Sequence, residues 1–427
     1  MKKIIVLCLL LCAQIAHAQK TYLYCGKLID GISNTVQTKV TIIVDSGRIQ
    51  SVVSGYPDAG SADKVIDLKS KTVLPGLIDC HVHLEDILST NTLLETFTLS
   101  DADIAYRSVS FAKKTLLAGF TTVRDLGGTG VNISLRNAVE KGWVDGPRIF
   151  TAGKIISSSG GASDPTNGFR DDVFNHRPGP EDGVADGRDE LIKAVRLQIK
   201  AGADVIKIAS TGGVFELGDN NKKAKFSIDE IKAVVETAND YGLKVACHAH
   251  GAEGIRRAIL GGVASIEHGT YMDDEDIRLM KQYGTWYVPT IIAGKAVADS
   301  ARKGYYPPII AGKAIAFGDQ IQRTFAKAYK AGVKIAFGTD AGAFDHGLNY
   351  LEFGYMVDAG MPAMDAIKSA TSNAAILLGK QQELGSISKG RFADVIAVDG
   401  DPLTDIKAIK NVVFVMKAGK VYLGIGN

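Results

Sequence analysis

Eight histidines occur in this chain, and five of them close short apolar runs: His81 and His83, His248 and His250, and His268. His176 and His346 fall in loop-like stretches, and His17 stands near the N-terminus. Residues two apart on a strand turn to the same face, so His81 shares a face with His83, and His248 with His250. A further run closes on a carboxylate, Phe337-Gly338-Thr339-Asp340. Neutral imidazoles plus a carboxylate are the donor set for zinc and similar divalent ions. One H-x-H pair is equally well read as two structural histidines. Four strand ends of this kind point to metal.

Lys207 sits inside Val205-Ile206-Lys207-Ile208-Ala209, where burying an ammonium is costly. It either snorkels to water or pairs with Asp340, or it is a neutral lysine carboxylated by carbon dioxide, whose carbamate bridges two cations.

Such a constellation needs a scaffold that brings separate strand ends together. Eight short runs recur in order: 73–79, 120–124, 148–153, 205–209, 244–250, 264–268, 285–289 and 334–338. Amphipathic stretches lie between them, as in 189–201, 227–241, 253–260 and 273–283. Ser227 and Glu230 form a capping box, and Gly202, Gly242, Gly262 and Gly284 mark helix ends. Eight β-then-α units predict an α/β fold, a (β/α)8 TIM barrel over residues 73–384, because only a closed barrel unites all those ends. Residues 19–72 and 385–427 alternate like short strands and predict one small β-sandwich domain built from both chain ends. The irregular stretch 157–188 has the length of a binding loop or lid.

Lys2 and Lys3, the apolar run Ile4–Leu11 and Ala16-His17-Ala18 have the layout of a secretory signal peptide over residues 1–18. The expected location is periplasmic or extracellular; acylation at Cys12 is the minor alternative, since Leu11 is bulky for it. No stretch is long enough for a membrane span. Removing two lysines leaves 47 of 49 basic residues against 47 acidic ones, so no cationic surface calls for nucleic acid. A small-molecule partner fits better, and association into a homo-oligomer is left open. Cys25, Cys80 and Cys247 read as buried free thiols without a disulfide framework.

The run Val73-Leu74-Pro75-Gly76-Leu77-Ile78-Asp79-Cys80-His81-Val82-His83 resembles the first-strand signature of the amidohydrolase superfamily. Ala185-Asp186-Gly187, Ile206-Lys207, His248-Ala249-His250-Gly251, Ile266-Glu267-His268-Gly269 and Gly338-Thr339-Asp340-Ala341-Gly342 are similar to its imidazolonepropionase-related branch. So is the tail from Gly385-Ser386-Ile387 through Gly390-Arg391-Phe392-Ala393-Asp394. That branch holds Xaa-Pro dipeptidases (prolidases) and secreted ochratoxin-cleaving amidohydrolases, and the match covers nearly all the chain after residue 18.

The resemblance implies two divalent ions, usually zinc. His81, His83 and Asp340 would hold one, His248 and His268 the other, with carboxylated Lys207 and a hydroxide bridging them. Asp340 would take the water's proton and deliver it to the leaving amine. His250, Tyr271 and His176 are candidate substrate contacts. One departure stands out: in Ser159-Gly160-Gly161-Ala162, Ala162 replaces a histidine common in the family. Arg124-Asp125 reads as a structural pair. The expected reaction is hydrolysis of an amide in a dipeptide or N-acyl amino acid. The alternatives are lactone or cyclic-amide hydrolysis on the same metals, a mononuclear deaminase using Glu253, and a binding protein without chemistry.

Overall fold

The computed structural model describes residues 19–424 except 90, 175 and 215–220. The expected leader, residues 1–18, lies outside them. β1 (Thr21–Leu28) pairs antiparallel with β2 (Gln37–Asp45), which turns through Ser46-Gly47 into β3 (Arg48–Ser54). Both turn residues have positive φ, as a tight hairpin connection requires. β1 also pairs in parallel with the long β4 (Lys64–Pro75).

The C-terminal strands join the same sheet: β12 (Val395–Val398), β13 (Val412–Lys417) and β14 (Lys420–Leu423). Strand order is β14-β13-β12-β4-β1-β2-β3. Both chain ends therefore meet as expected, but as one hydrogen-bonded sheet rather than two stacked ones. It curls around a core that includes Leu23, Ile42, Val395 and Phe414. Its two outer hairpins come into contact, because Gly47 has no side chain; a Cβ there would lie 2.7 Å from the Ala418 carbonyl.

β4 stops at Pro75, so the run expected over 73–79 is divided. Gly76 is the break: its amide donates to the Asp394 carbonyl at 2.8 Å, and a Cβ would meet Thr121 Oγ1 at 2.1 Å. The next sheet is parallel, β5 (Leu77–Val82), β6 (Phe120–Asp125) and β7 (Arg148–Thr151). A second parallel sheet holds β8 (Ile206–Ala209), β9 (Val245–Ala249), β10 (Ser265–His268) and β11 (Trp286–Val288). Single parallel bridges, Ile156 to Ile208, Tyr287 to Ile335 and Val82 to Ala341, link neighbouring segments.

The expected strand over 334–338 is an irregular extended segment. Tyr287 N donates to Lys334 O at 2.9 Å on one flank, and Cys80 N to Phe337 O at 2.9 Å on the other. Gly338 lets it pack tightly, since a Cβ would come within 2.3 Å of Val288.

Helices follow the strands and cover them. Helix Ile228–Asp240 starts at the Ser227–Glu230 capping box and turns Ile231, Val234, Val235 and Ala238 inward. They join Ile206, Val245 and Ile266 in the main core, each such side chain contributing about 1.5–3 kcal/mol on burial. Gly202, Gly262 and Gly284 end their helices in the left-handed conformation. Cys25, Cys80 and Cys247 are buried and free. No described helix is long and apolar enough to cross a membrane.

Candidate metal centre

The C-terminal ends of these segments converge on one cavity of about 160 Å³. His81, His83, Lys207, His248, His250, His268 and Asp340 all line it. Asp340 Oδ1 lies 3.4 Å from His81 Nε2 and 3.2 Å from His83 Nε2. One donor atom from each of these three residues falls within 4.8 Å of the others, as around one cation. The His268 ring packs 4.9 Å from His81 and 4.7 Å from His248, so a second imidazole group adjoins the first. Lys207 Nζ reaches to 3.4 Å from His81 Nε2.

The imidazoles are aimed by partners behind them. Nδ1 of His81 meets Glu267 Oε2 at 2.9 Å, that of His83 the Gly127 carbonyl at 2.7 Å, and that of His268 Thr290 Oγ1 at 2.8 Å. Each bond leaves Nε2 facing the centre, the usual arrangement behind a ligating histidine. His248 is reversed, with Nε2 3.4 Å from the Gly212 carbonyl, which leaves Nδ1 as its available donor. His250 Nδ1 meets Thr270 Oγ1 at 3.0 Å. Backbone strain gathers here: His268, Thr290 and Asp340 have φ of 68°, 52° and 63°. Such conformations cost about 1–3 kcal/mol each and cluster at functional sites.

Electrostatics favour metal-competent protonation states. Burial, then Lys207, brings His248 down to about 4. Burial and neighbouring charges likewise hold His81, His250 and His268 well below the ordinary imidazole value. Burial lowers Lys207 to about 8 against the attraction of Glu267 and Asp340. His83 runs the other way: burial opposes its charge, but Asp340 outweighs that and raises it to about 9. Burial also opposes the Asp340 carboxylate, yet His81, His83 and Lys207 together hold it well below the usual carboxylate range. The neutral imidazoles and the ionised Asp340 carboxylate form a donor set that suits a divalent metal.

Not every expected contact joins the cavity. His176 is exposed and pairs with Asp182 Oδ2 at 3.0 Å. Tyr271 is half-buried under Lys222, whose Nζ lies 4.5 Å from the ring centroid, and it does not line the cavity. Arg124 and Asp125 do not pair with each other. Arg124 donates to Glu267 Oε1 at 2.9 Å, while Asp125 accepts from Leu84 N and Asn132 Nδ2. Glu253 sits in a helix first turn, pairing with Arg257 at 2.8 Å and away from the cavity. The residues that sequence reasoning passed over are Glu267, Thr290 and the apolar lining Ala293, Val297 and Phe317.

Residues 72–422 match the model of the amidohydrolase family. The chain belongs to the amidohydrolase family. It is similar to ochratoxinase from Aspergillus niger, 34% identical over 98% of this chain and 89% of that protein. Among solved structures it resembles a Xaa-Pro dipeptidase with methionine bound in the active site, at TM-score 0.92 and 48% identity, covering 95% of this chain and all (100%) of that one. It also resembles a prolidase complexed with N-methylphosphonate-L-proline, at TM-score 0.87 and 33% identity, covering 95% and 100%.

As an amidohydrolase, the chain is a metal-dependent hydrolase of the carbon–nitrogen class, in the branch that its motifs resemble. Ala162, where the resemblance predicts a histidine, lines the cavity beside Ser163. A methyl group therefore stands at this point of the cavity wall. Asp164 accepts from Gly160 N at 2.8 Å, and Asn167 Nδ2 donates to Gly160 O at 3.1 Å, so this loop holds its own shape.

Proposed function

We propose that this amidohydrolase cleaves the amide bond of a small substrate, a dipeptide such as Xaa-Pro or an N-acyl amino acid, at a binuclear zinc-type centre. The observation that carries the reading is the convergence of His81, His83, Asp340, His248 and His268 around buried Lys207 in one cavity. The similarity to a Xaa-Pro dipeptidase and to an ochratoxinase supports the bond type. The bridges between neighbouring segments support one closed barrel over 73–384 beside the end sheet.

His81, His83 and Asp340 would hold one ion and His248 and His268 the other, with carboxylated Lys207 spanning both. Such ions supply an acidified water and a polarised carbonyl. The chain supplies the rest. Glu267, Gly127 and Thr290 fix the ring directions, so the donors pay no reorientation at each turnover. Asp340 keeps its carboxylate ionised, and its Oδ1 faces His81 and His83. Oδ2 is left to accept the proton of the attacking water and pass it to the departing amine nitrogen. Apolar side chains around the centre limit competing water.

Metal counting combined with a panel of dipeptides, N-acyl amino acids, lactones and cyclic amides tests this. Two ions per chain with amide turnover support it. Full activity with one ion, or lactone turnover alone, overturns it. Export through residues 1–18 belongs to the same proposal, and sequencing the exported N-terminus should begin at Gln19; an acylated Cys12 would reverse it.

A further inference from the structure

Beyond the metal-facing groups, the cavity is lined by Ala162, Val214, Ala293, Val297, Phe317 and Ala343, with further small or apolar residues and the hydroxyl of Ser163. Among the described residues, the lining contains no arginine, no glutamate, and no lysine but Lys207. A charged substrate group pressed against these apolar side chains would lose its hydration without gaining a partner from them. The cavity, about 160 Å³ in all, is shared between the metal-facing groups and this apolar wall.

The wall is built to hold its shape. Ala293 and Val297 come from helix Ile291–Arg302, and Phe317 from helix Pro308–Lys330. These two helices touch backbone to backbone at Gly294 and Gly318, where a Cβ on Gly318 would lie 2.3 Å from the Gly294 carbonyl. Phe317 is therefore clamped; its Cε1 lies 3.3 Å from where a Cβ on Gly294 would stand. Its ring also packs edge-on against His250 at 4.9 Å. Glu352 fixes the start of the first helix, accepting from Ile291 N at 2.9 Å and Ile292 N at 2.7 Å. Ala162 comes from the self-bonded loop.

We infer that this wall is the specificity pocket, and that it selects substrates placing one uncharged, apolar side chain against Phe317 and Val297. The inference rests on amide hydrolysis as the activity. It deepens that reading by naming the substrate class.

The test uses the metal-loaded enzyme and matched dipeptides carrying Leu, Met, Asp or Arg at each position in turn, with calorimetric binding of free leucine, methionine, aspartate and arginine alongside. At one dipeptide position, Leu and Met should exceed Asp and Arg in kcat/KM by tenfold or more. Phe317→Ala should lower kcat/KM for Leu and Met substrates about tenfold and leave Asp and Arg substrates little changed. Val297→Thr keeps the shape and adds a hydroxyl, so it keeps the test open if the larger change unfolds the chain; it should narrow the preference severalfold. Equal turnover of charged and apolar substrates, or a uniform loss in both variants, overturns the pocket and leaves amide hydrolysis standing. Selective binding of leucine and methionine that weakens in the variants, without any amide turnover, sustains the pocket and overturns the activity. Absence of both selective binding and selective turnover overturns the pocket as well.

Discussion

Glu267 gives the sharpest test of how the fold serves the metal centre, because it answers to two masters. It is fully buried and accepts from His81 Nδ1 at 2.9 Å, Arg124 Nη2 at 2.9 Å and Ser265 Oγ at 2.5 Å. Glu267→Leu strands the Arg124 guanidinium, itself 2% exposed, without a counter-charge. Breaking one side of a buried pair costs about 3–5 kcal/mol. Adding Arg124→Met removes the orphan and should recover all but about 1 kcal/mol, the residue being the lost bond from Arg124 Nε to the Cys80 carbonyl. Zinc affinity should not recover. In both variants His81 loses the acceptor that orients its ring, which lowers affinity about 10–100-fold. Urea denaturation of the metal-free proteins reads the first quantity, and competition with a zinc-binding dye reads the second. A double variant that binds zinc as tightly as the parent would refute the orienting role. One as unstable as Glu267→Leu would refute the ion-pair account.

Other outcomes follow from the same geometry. Asp340→Asn should keep the fold by circular dichroism and lose about 10²–10⁴-fold in kcat; a near-normal kcat rules out Asp340 as the proton carrier. Burial drives the Glu352 carboxyl up to about 8 from an ordinary 4.5. The folded chain then holds a proton that the unfolded chain has released between those values, so this stability is present at pH 4 and lost as pH rises through 8. Glu352→Gln cannot titrate, so the stability of the parent relative to the variant should fall from pH 5 to pH 8, measured by urea midpoints; a constant difference contradicts the assignment. Gly318→Ala should destabilise by about 1–3 kcal/mol through the clash with Gly294. Gly312→Ala in the same helix, with nothing within 4 Å of the new methyl, should be neutral or slightly stabilising, and equal melting temperatures for the two would discount helix contact at Gly318.

The residues that converge on the cavity were legible because their placement depends on local rules. Two-residue alternation puts His81 with His83, and a charge inside an apolar strand marks Lys207; both rules hold in the structure. The same rule applied to Arg124 and Glu267 would have exposed their pairing, but their partners are far apart in sequence, and adjacency favoured Asp125 instead. Phe317 was beyond reach for another reason. Its place is set by how closely two helices approach through Gly294 and Gly318, and nothing in the periodicity of one helix reports the distance to its neighbour. His176 shows the converse: a histidine in a long loop carries no directional rule, and the structure turns it to solvent. The run 73–79 looked continuous because Gly76 sits among apolar residues, while its break comes from a close approach to Thr121.

The end sheet has a consequence for how the molecule is made. β4 pairs with β1 early in the chain, but its other edge, Thr72–Pro75, waits for Val395–Val398. Throughout synthesis that ladder stands with one side open, an invitation to pair with any passing strand. The last strands therefore act as a latch that seals the first ones, and trimming the chain before Val395 would return the finished protein to its most adhesive state.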